Sequence, residues 1–176
     1  MRRRTLLKGA AASGAAVLGA GYWALPTGSR AAAVSLDGAR EVLAGLQGKT
    51  LQSLRGWSPS EVFNHCAQSI DYSIDGYPEL KPAWFRHTLG PAAFAVFSSR
   101  GAMRHPLDEA IPGAAELTEP ASQALALQRL QAAFERFAGH RGALQPHFAY
   151  GALDHAEYAL AHVLHLYNHL SLIRPT

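Results

Sequence analysis

The 176-residue chain is 48% apolar and carries a formal charge of +3, with 16 basic and 13 acidic side chains, nine histidines and one cysteine. Five of the basic residues (Arg2, Arg3, Arg4, Lys8 and Arg30) lie in the first 33 positions, which hold no acidic residue, so residues 34–176 keep 11 basic against 13 acidic side chains, a balance of −2. That balance excludes the clustered positive charge of a nucleic-acid-binding surface, and a lone Cys66 excludes an internal disulfide.

At the N-terminus, Arg3-Arg4 is followed by Thr5, the apolar pair Leu6-Leu7 and Lys8, the pattern that twin-arginine exporters recognise. Gly9 to Leu25 is uncharged and rich in Ala and Gly, and is short for a membrane span of roughly 20 strongly apolar residues. Ala31-Ala32-Ala33 supplies the small residues a signal peptidase needs. Residues 1–33 are therefore expected to be a twin-arginine signal peptide that hands the protein to the export machinery for periplasmic or other extracytoplasmic delivery. An uncleaved membrane anchor is the alternative. The remaining 143 residues, 34–176, are the usual size of one domain with one core.

Leu36 to Leu54 reads as a first helix, with Leu43, Leu46, Leu51 and Leu54 at roughly helical spacing despite Gly45 and Gly48. The second helix has sharper signals. Ser58 is an N-cap, Pro59 fits the first helical position and Glu61 completes a capping box. Trp57 precedes the cap and can staple onto Val62. This helix is expected to reach about Tyr72, before Asp75-Gly76-Tyr77-Pro78. A third helix spans about Lys81 to Ser98, bent or interrupted at Gly90-Pro91. Gly101 to Leu117 reads as a loop with Pro106 and Pro112, and a fourth helix covers about Ala121 to Ala138. The last helix repeats the second: Asp154 caps, Glu157 closes the box, and Leu153 can staple onto Tyr158. It runs to about Ile173, before Pro175. Strand-like alternation is almost absent, so the expected fold class is all-α: a helical bundle with a long crossover or an extra short helix.

The histidines carry the functional signal. At about 100° per residue, His162, His165 and His169 fall within about 60° on one stripe of the last helix, together with Tyr158 and Leu172. Each buried ring nitrogen without a partner costs on the order of 1–3 kcal/mol, and one metal ion satisfies several at once. His165 and His169 are at i and i+4, where Cβ atoms lie about 5–6 Å apart and two imidazoles can meet one ion at about 2 Å each. His162 with His165 (i, i+3) is also a possible pair, but His162 and His169 are about 10.5 Å apart along the axis, too far to share it easily. His65 is the candidate third ligand. It lies about 10.5 Å into the second helix, and an antiparallel last helix places the His165–His169 midpoint about 9 Å from its own end.

Trp57-Ser58 before a helix bearing His65, with Gly151-x-Leu153, Tyr158, His162, His165 and His169-Leu170 near the C-terminus, resembles the DinB-like superfamily of metal-binding four-helix bundles, and within it a secreted, uncharacterised branch. The resemblance covers roughly residues 36–173. It implies that one histidine of the second helix and two of the last, here His65, His165 and His169, bind a divalent ion. That branch often has a second histidine just before the last ligand and a glutamine three residues after it, where this chain has Asn168 and Leu172.

Three ligands leave a position for water or substrate, as in catalytic sites. The expectation is a metal-dependent hydrolase or thiol transferase acting on a small molecule, with His162 as the candidate catalytic residue, an accessory that orients a bound group or moves its proton; a fourth metal ligand, a residue supporting the ligands, and a satisfied core residue are the other readings of His162. Zinc is the first expectation, with nickel and iron(II) as alternatives. A non-catalytic metal carrier and a noncovalent haem bundle are the competing functions, and no CxxCH is present for covalent haem. Cys66 should be a small core residue pointing about 100° away from His65. His155 is expected at the surface, and His87, His105, His140 and His147 at the surface or in loops. The Leu/Tyr stripe opposite the histidines reads as core, with a homodimer face as its alternative.

Overall fold

The computed structural model describes residues 34–117 and 122–176. Among these, the chain order is α1 (Leu36–Ala44), β1 (Leu51–Ser53), α2 (Pro59–Asp75), α3 (Ala83–His87), α4 (Leu89–Arg100), α5 (Gln123–Gly139), α6 (His155–Leu170) and β2 (Ile173–Pro175). The protein is mostly helical, with one small sheet. The expected signal at residues 1–33 lies outside the described residues, as does Ala121, the expected start of the fourth helix. None of the described helices is long and apolar enough to cross a membrane.

Two expected boundaries move because short strands replace helix ends. The first helix stops at Ala44 rather than Leu54. Gly48 takes φ +70°, a left-handed conformation that glycine adopts at little cost, and the chain then extends into β1. Leu51 turns into the core while Leu54 stays 52% exposed, so the four leucines do not share one helical face. At the other end, Ile173 belongs to β2 rather than to α6. β1 and β2 pair antiparallel, with Leu51 opposite Pro175 and Ser53 opposite Ile173. The pairing is extended by Leu54 N–H donating to the Leu172 carbonyl (2.9 Å) and Thr176 N–H to that of Thr50 (3.0 Å).

The third helix is two pieces that break at Thr88, ahead of Gly90-Pro91. Pro91 has no N–H to give the carbonyl four residues back, so it sits in the first turn of a new helix rather than inside a continuous one. Gly90 is fixed by a close approach: a Cβ there would lie 1.9 Å from the Ala149 carbonyl oxygen.

α2 packs most extensively on α5 and also meets α6, while α1 lies on both α5 and α6. Phe63 and Ile70 of α2, Leu130, Phe134 and Phe137 of α5, and Tyr158 and Leu166 of α6 are buried in one cluster. Arg136 of α5 reaches Asp71 (3.0 Å) and Asp75 (2.6 Å) of α2 across the surface, pairs of small energetic value at such exposure. Cys66 is buried in the same core, and burial pushes its thiol pKa up. The small sheet has a positional consequence. It ties the segment before α2 to the segment after α6, which holds the start of one helix beside the end of the other.

Candidate metal centre

Both helices that bear the histidines begin at fixed points. The Ser58 hydroxyl accepts from Glu61 N–H (3.3 Å) and the Glu61 carboxylate from Ser58 N–H (2.7 Å). At α6 the reciprocal bonds between Asp154 and Glu157 are both 2.8 Å. Each capping box satisfies two N–H groups that a helix start otherwise leaves without partners, and it sets where every later side chain falls. With the helices antiparallel, His65 of α2 faces His165 and His169 of α6, and Ser73, two turns further along α2, faces His162.

The Nε2 atoms of the three facing histidines converge. His165 Nε2 lies 3.1 Å from His65 Nε2 and 3.0 Å from His169 Nε2. One nitrogen from each ring joins a set whose members all lie within 4.8 Å of one another. His65 and His169 are buried and His165 is partly exposed. A neutral imidazole nitrogen has either one proton or one lone pair in the ring plane, so His165 Nε2 can form one good hydrogen bond, not two. A cation among the three nitrogens engages all of them. The donor set therefore fits a metal ion of the kind imidazoles bind.

The charge states agree. Burial, with the neighbouring His105 ring adding to it, lowers the His65 pKa to about 4. Burial and the His65 and His105 rings lower His169 to about 2. His165 is held well below its ordinary value by burial and then by His169, His65 and His105. All three rings are thus neutral near pH 7, the form that ligates metal. Trp57 covers one side of the cluster, its ring 4.9 Å from His65 and stacked 6.1 Å from His169. The residue before the N-cap therefore shields the site as well as joining the core around α2. His65 Nδ1 and His169 Nδ1 are buried without a hydrogen-bond partner among the described residues.

His162 lies beneath this cluster, 3% exposed, with Nε2 3.2 Å from the Ser73 hydroxyl. That hydroxyl donates its proton to the Ile70 carbonyl (2.6 Å), so His162 Nε2–H must be the donor to Ser73 and the lone pair lies on Nδ1. Burial, helped by His155, lowers the His162 pKa to about 3.

Two of the histidines expected at the surface or in loops lie in loops that turn their rings inward. His147 is in a loop but only 7% exposed. The single lone pair of its Nδ1 is shared by the backbone N–H groups of Ala149 and Tyr150 (both 3.1 Å), and its ring stacks on Tyr150 at 4.2 Å. His105 is on the loop after α4, yet its ring stands 5.0 Å from His165 and 5.1 Å from His169. Helical periodicity cannot register a loop residue against a helix, and only the number of histidines hinted at more than three in the core. His87 and His155 are exposed, and His140 is partly buried.

A cavity of about 190 Å³ opens beside the cluster, lined by His65, His105, His162 and His165, with Lys81 and Glu109 as its charged residues. Most of its remaining lining is apolar, including Met103, Ile111 and Phe148. A family model described as "Protein of unknown function (DUF1569)" matches residues 32–176. No curated protein and no solved structure matches the chain.

Proposed function

The chain belongs to the DUF1569 family of proteins of unknown function, and we propose that it is an exported metalloprotein that holds one divalent ion on His65, His165 and His169 and performs metal-dependent hydrolysis or thiol transfer on a small molecule. The carrying observation is His165 Nε2, placed 3.0 and 3.1 Å from two other imidazole nitrogens when it can satisfy only one. On this reading α1, α2, α5 and α6 form a DinB-like four-helix bundle, and α3 and α4 lie within its long crossover. Zinc is the first choice, because neutral imidazoles and an open position suit it, with nickel and iron(II) as alternatives.

A bound ion of this type acidifies water or stabilises a thiolate at neutral pH. The protein supplies the rest. The three neutral rings would hold the ion without themselves offsetting its charge. His162, fixed by Ser73 with its lone pair on Nδ1, is the accessory residue that orients the reacting group or takes its proton. The cavity gives a small, mainly apolar substrate a place beside the ligands, and Lys81 is available to a negative group. The haem alternative finds no support in the geometry: nitrogens 3.1 Å apart leave no space for a porphyrin plane between them. A non-catalytic carrier uses the same three ligands and differs in the fate of His162→Ala, which then changes nothing beyond stability.

Elemental analysis of the purified protein tests the centre: one divalent ion per chain supports it, and full occupancy in His169→Ala overturns it. A screen of small esters, amides, and electrophiles with added thiol tests the activity. His162→Ala should keep the ion and lose turnover. Export is tested separately: Arg3→Lys with Arg4→Lys should leave precursor in the cytoplasm, and unchanged delivery overturns the twin-arginine assignment.

A further inference from the structure

The loop after α4 places a fourth imidazole, His105, beside the three helix-borne histidines and in the wall of the cavity. The His105 Nδ1 atom lies 2.6 Å from the Pro106 carbonyl oxygen. A carbonyl only accepts, so Nδ1 bears the proton and the lone pair is on Nε2. That Nε2 is shielded from solvent and has no hydrogen-bond partner among the described residues.

The rings of His65, His165 and His169 stand 4.7 to 5.0 Å apart, centre to centre. Imidazoles that share one ion at about 2 Å from each nitrogen have centres about 5 Å apart. The His105 ring, 5.0 Å from His165 and 5.1 Å from His169, stands at the same spacing from two of them. An unpaired, buried acceptor costs on the order of 1–3 kcal/mol, and an ion held by the neighbouring three rings would satisfy this one.

We propose that His105 is a fourth, exchangeable nitrogen ligand, a loop-borne strap that caps the open position until a substrate or other metal-binding molecule displaces it. The inference rests on the reading that His65, His165 and His169 hold the ion. Exchangeability follows from how each ligand is anchored. His65, His165 and His169 lie on helices whose starts are capped and whose adjoining segments are paired in the sheet. His105 is partly exposed, belongs to no helix or strand, and is oriented by a hydrogen bond to the carbonyl of the next residue. It also lines the 190 Å³ cavity together with His65 and His165, so its departure opens the vacated position directly to that space.

Cobalt(II) reports this without any substrate, because its visible bands respond to the number and arrangement of nitrogen ligands. The full chain, His105→Ala, His105→Gln and His169→Ala are each titrated with cobalt(II) and their spectra recorded, with circular dichroism as the check on folding. Both His105 variants should still bind one ion per chain, roughly tenfold or more weakly, with shifted visible bands. Free imidazole should restore the wild-type spectrum in His105→Ala and leave the wild type unchanged. Wild-type spectra and affinity in both His105 variants overturn the proposal, and so does a shifted spectrum that imidazole does not restore. If the wild type takes up no cobalt, or His169→Ala takes it up equally well, the three-ligand reading fails and this inference falls with it.

Discussion

Between α2 and α6 lie two histidine clusters a turn or two apart, and they meet the same difficulty in different ways. In the inner one, His162 Nε2–H donates to Ser73, and His147 Nδ1 accepts two backbone N–H groups. Nearby, Tyr158 donates to the Gln145 carbonyl at 2.6 Å and Tyr77 to that of Ser69 at 3.1 Å. In the outer one, three Nε2 atoms are turned toward each other and the Nδ1 atoms of His65 and His169 have no partner among the described residues. Both clusters are buried and both keep their histidines neutral. Burial and a depressed pKa therefore do not distinguish a ligand from a structural histidine. What distinguishes them is whether the protein itself supplies the hydrogen-bond partners.

The largest effect expected from this difference is on metal content. His65→Ala, His165→Ala and His169→Ala should each remove most of the bound ion, measured by elemental analysis. His147→Ala and the exposed His87→Ala should retain it. Retention by an outer variant together with loss in His147→Ala would invert the comparison.

The outer cluster was the more legible in sequence, for identifiable reasons. A capping box at each helix start and an i, i+4 histidine pair are local signals, and antiparallel depth matching needs only the rise per residue. The inner cluster depends on contacts that local patterns do not encode. Ser73 lies beyond the expected end of the second helix at Tyr72, which continues to Asp75, and His147 acts through a loop whose turn places two N–H groups on one ring nitrogen. β1 and β2 were invisible because three residues are too few to show an alternation. Their effect, tying the start of α2 to the end of α6, is nevertheless what makes the depth argument succeed.

Acid should act on both clusters in the metal-free protein. The folded-state pKa values are about 4 for His65, about 3 for His162 and about 2 for His169, all below the value near 6.5 of an unfolded histidine. Between those limits the unfolded chain binds more protons, so stability falls as pH drops below about 6.5, by up to about 1.4 kcal/mol per pH unit for each such histidine. Above about 6.5 these groups contribute no further pH dependence. Thermal melts of the metal-free protein from pH 8 to pH 4 should show a plateau and then a decline. A Tm that is constant down to pH 4 would show that the rings are accessible to protons in the folded state.

His147→Ala should cost less and act locally. It removes the one lone pair that the N–H groups of Ala149 and Tyr150 share in this turn, at about 1–3 kcal/mol in all. Slower-exchanging amides at those two positions in the wild type, and faster exchange in the variant, would locate the loss. If the melting temperature does not fall, solvent already serves that turn.

The smallest effect, and the most selective, is expected from Ser73→Ala. The Ser73 hydroxyl gives its only proton to Ile70 and receives the one on His162 Nε2. Removing it leaves a ring N–H with no acceptor at a residue that is 3% exposed, costing about 1–3 kcal/mol, or a few degrees in Tm for a domain of this size. The ring has one way to reduce that cost, which is to move its proton to Nδ1. Nitrogen NMR of labelled histidine should therefore show His162 as the Nε2–H form in the wild type and a mixture in Ser73→Ala. Metal content should not change, because no outer ligand touches Ser73. If His162 is the accessory residue of the reaction, turnover should fall with the fraction of the wild-type tautomer rather than with stability. A single tautomer in both proteins, at equal melting temperature, would mean that Ser73 does not orient His162, and the lone pair could no longer be assigned to Nδ1.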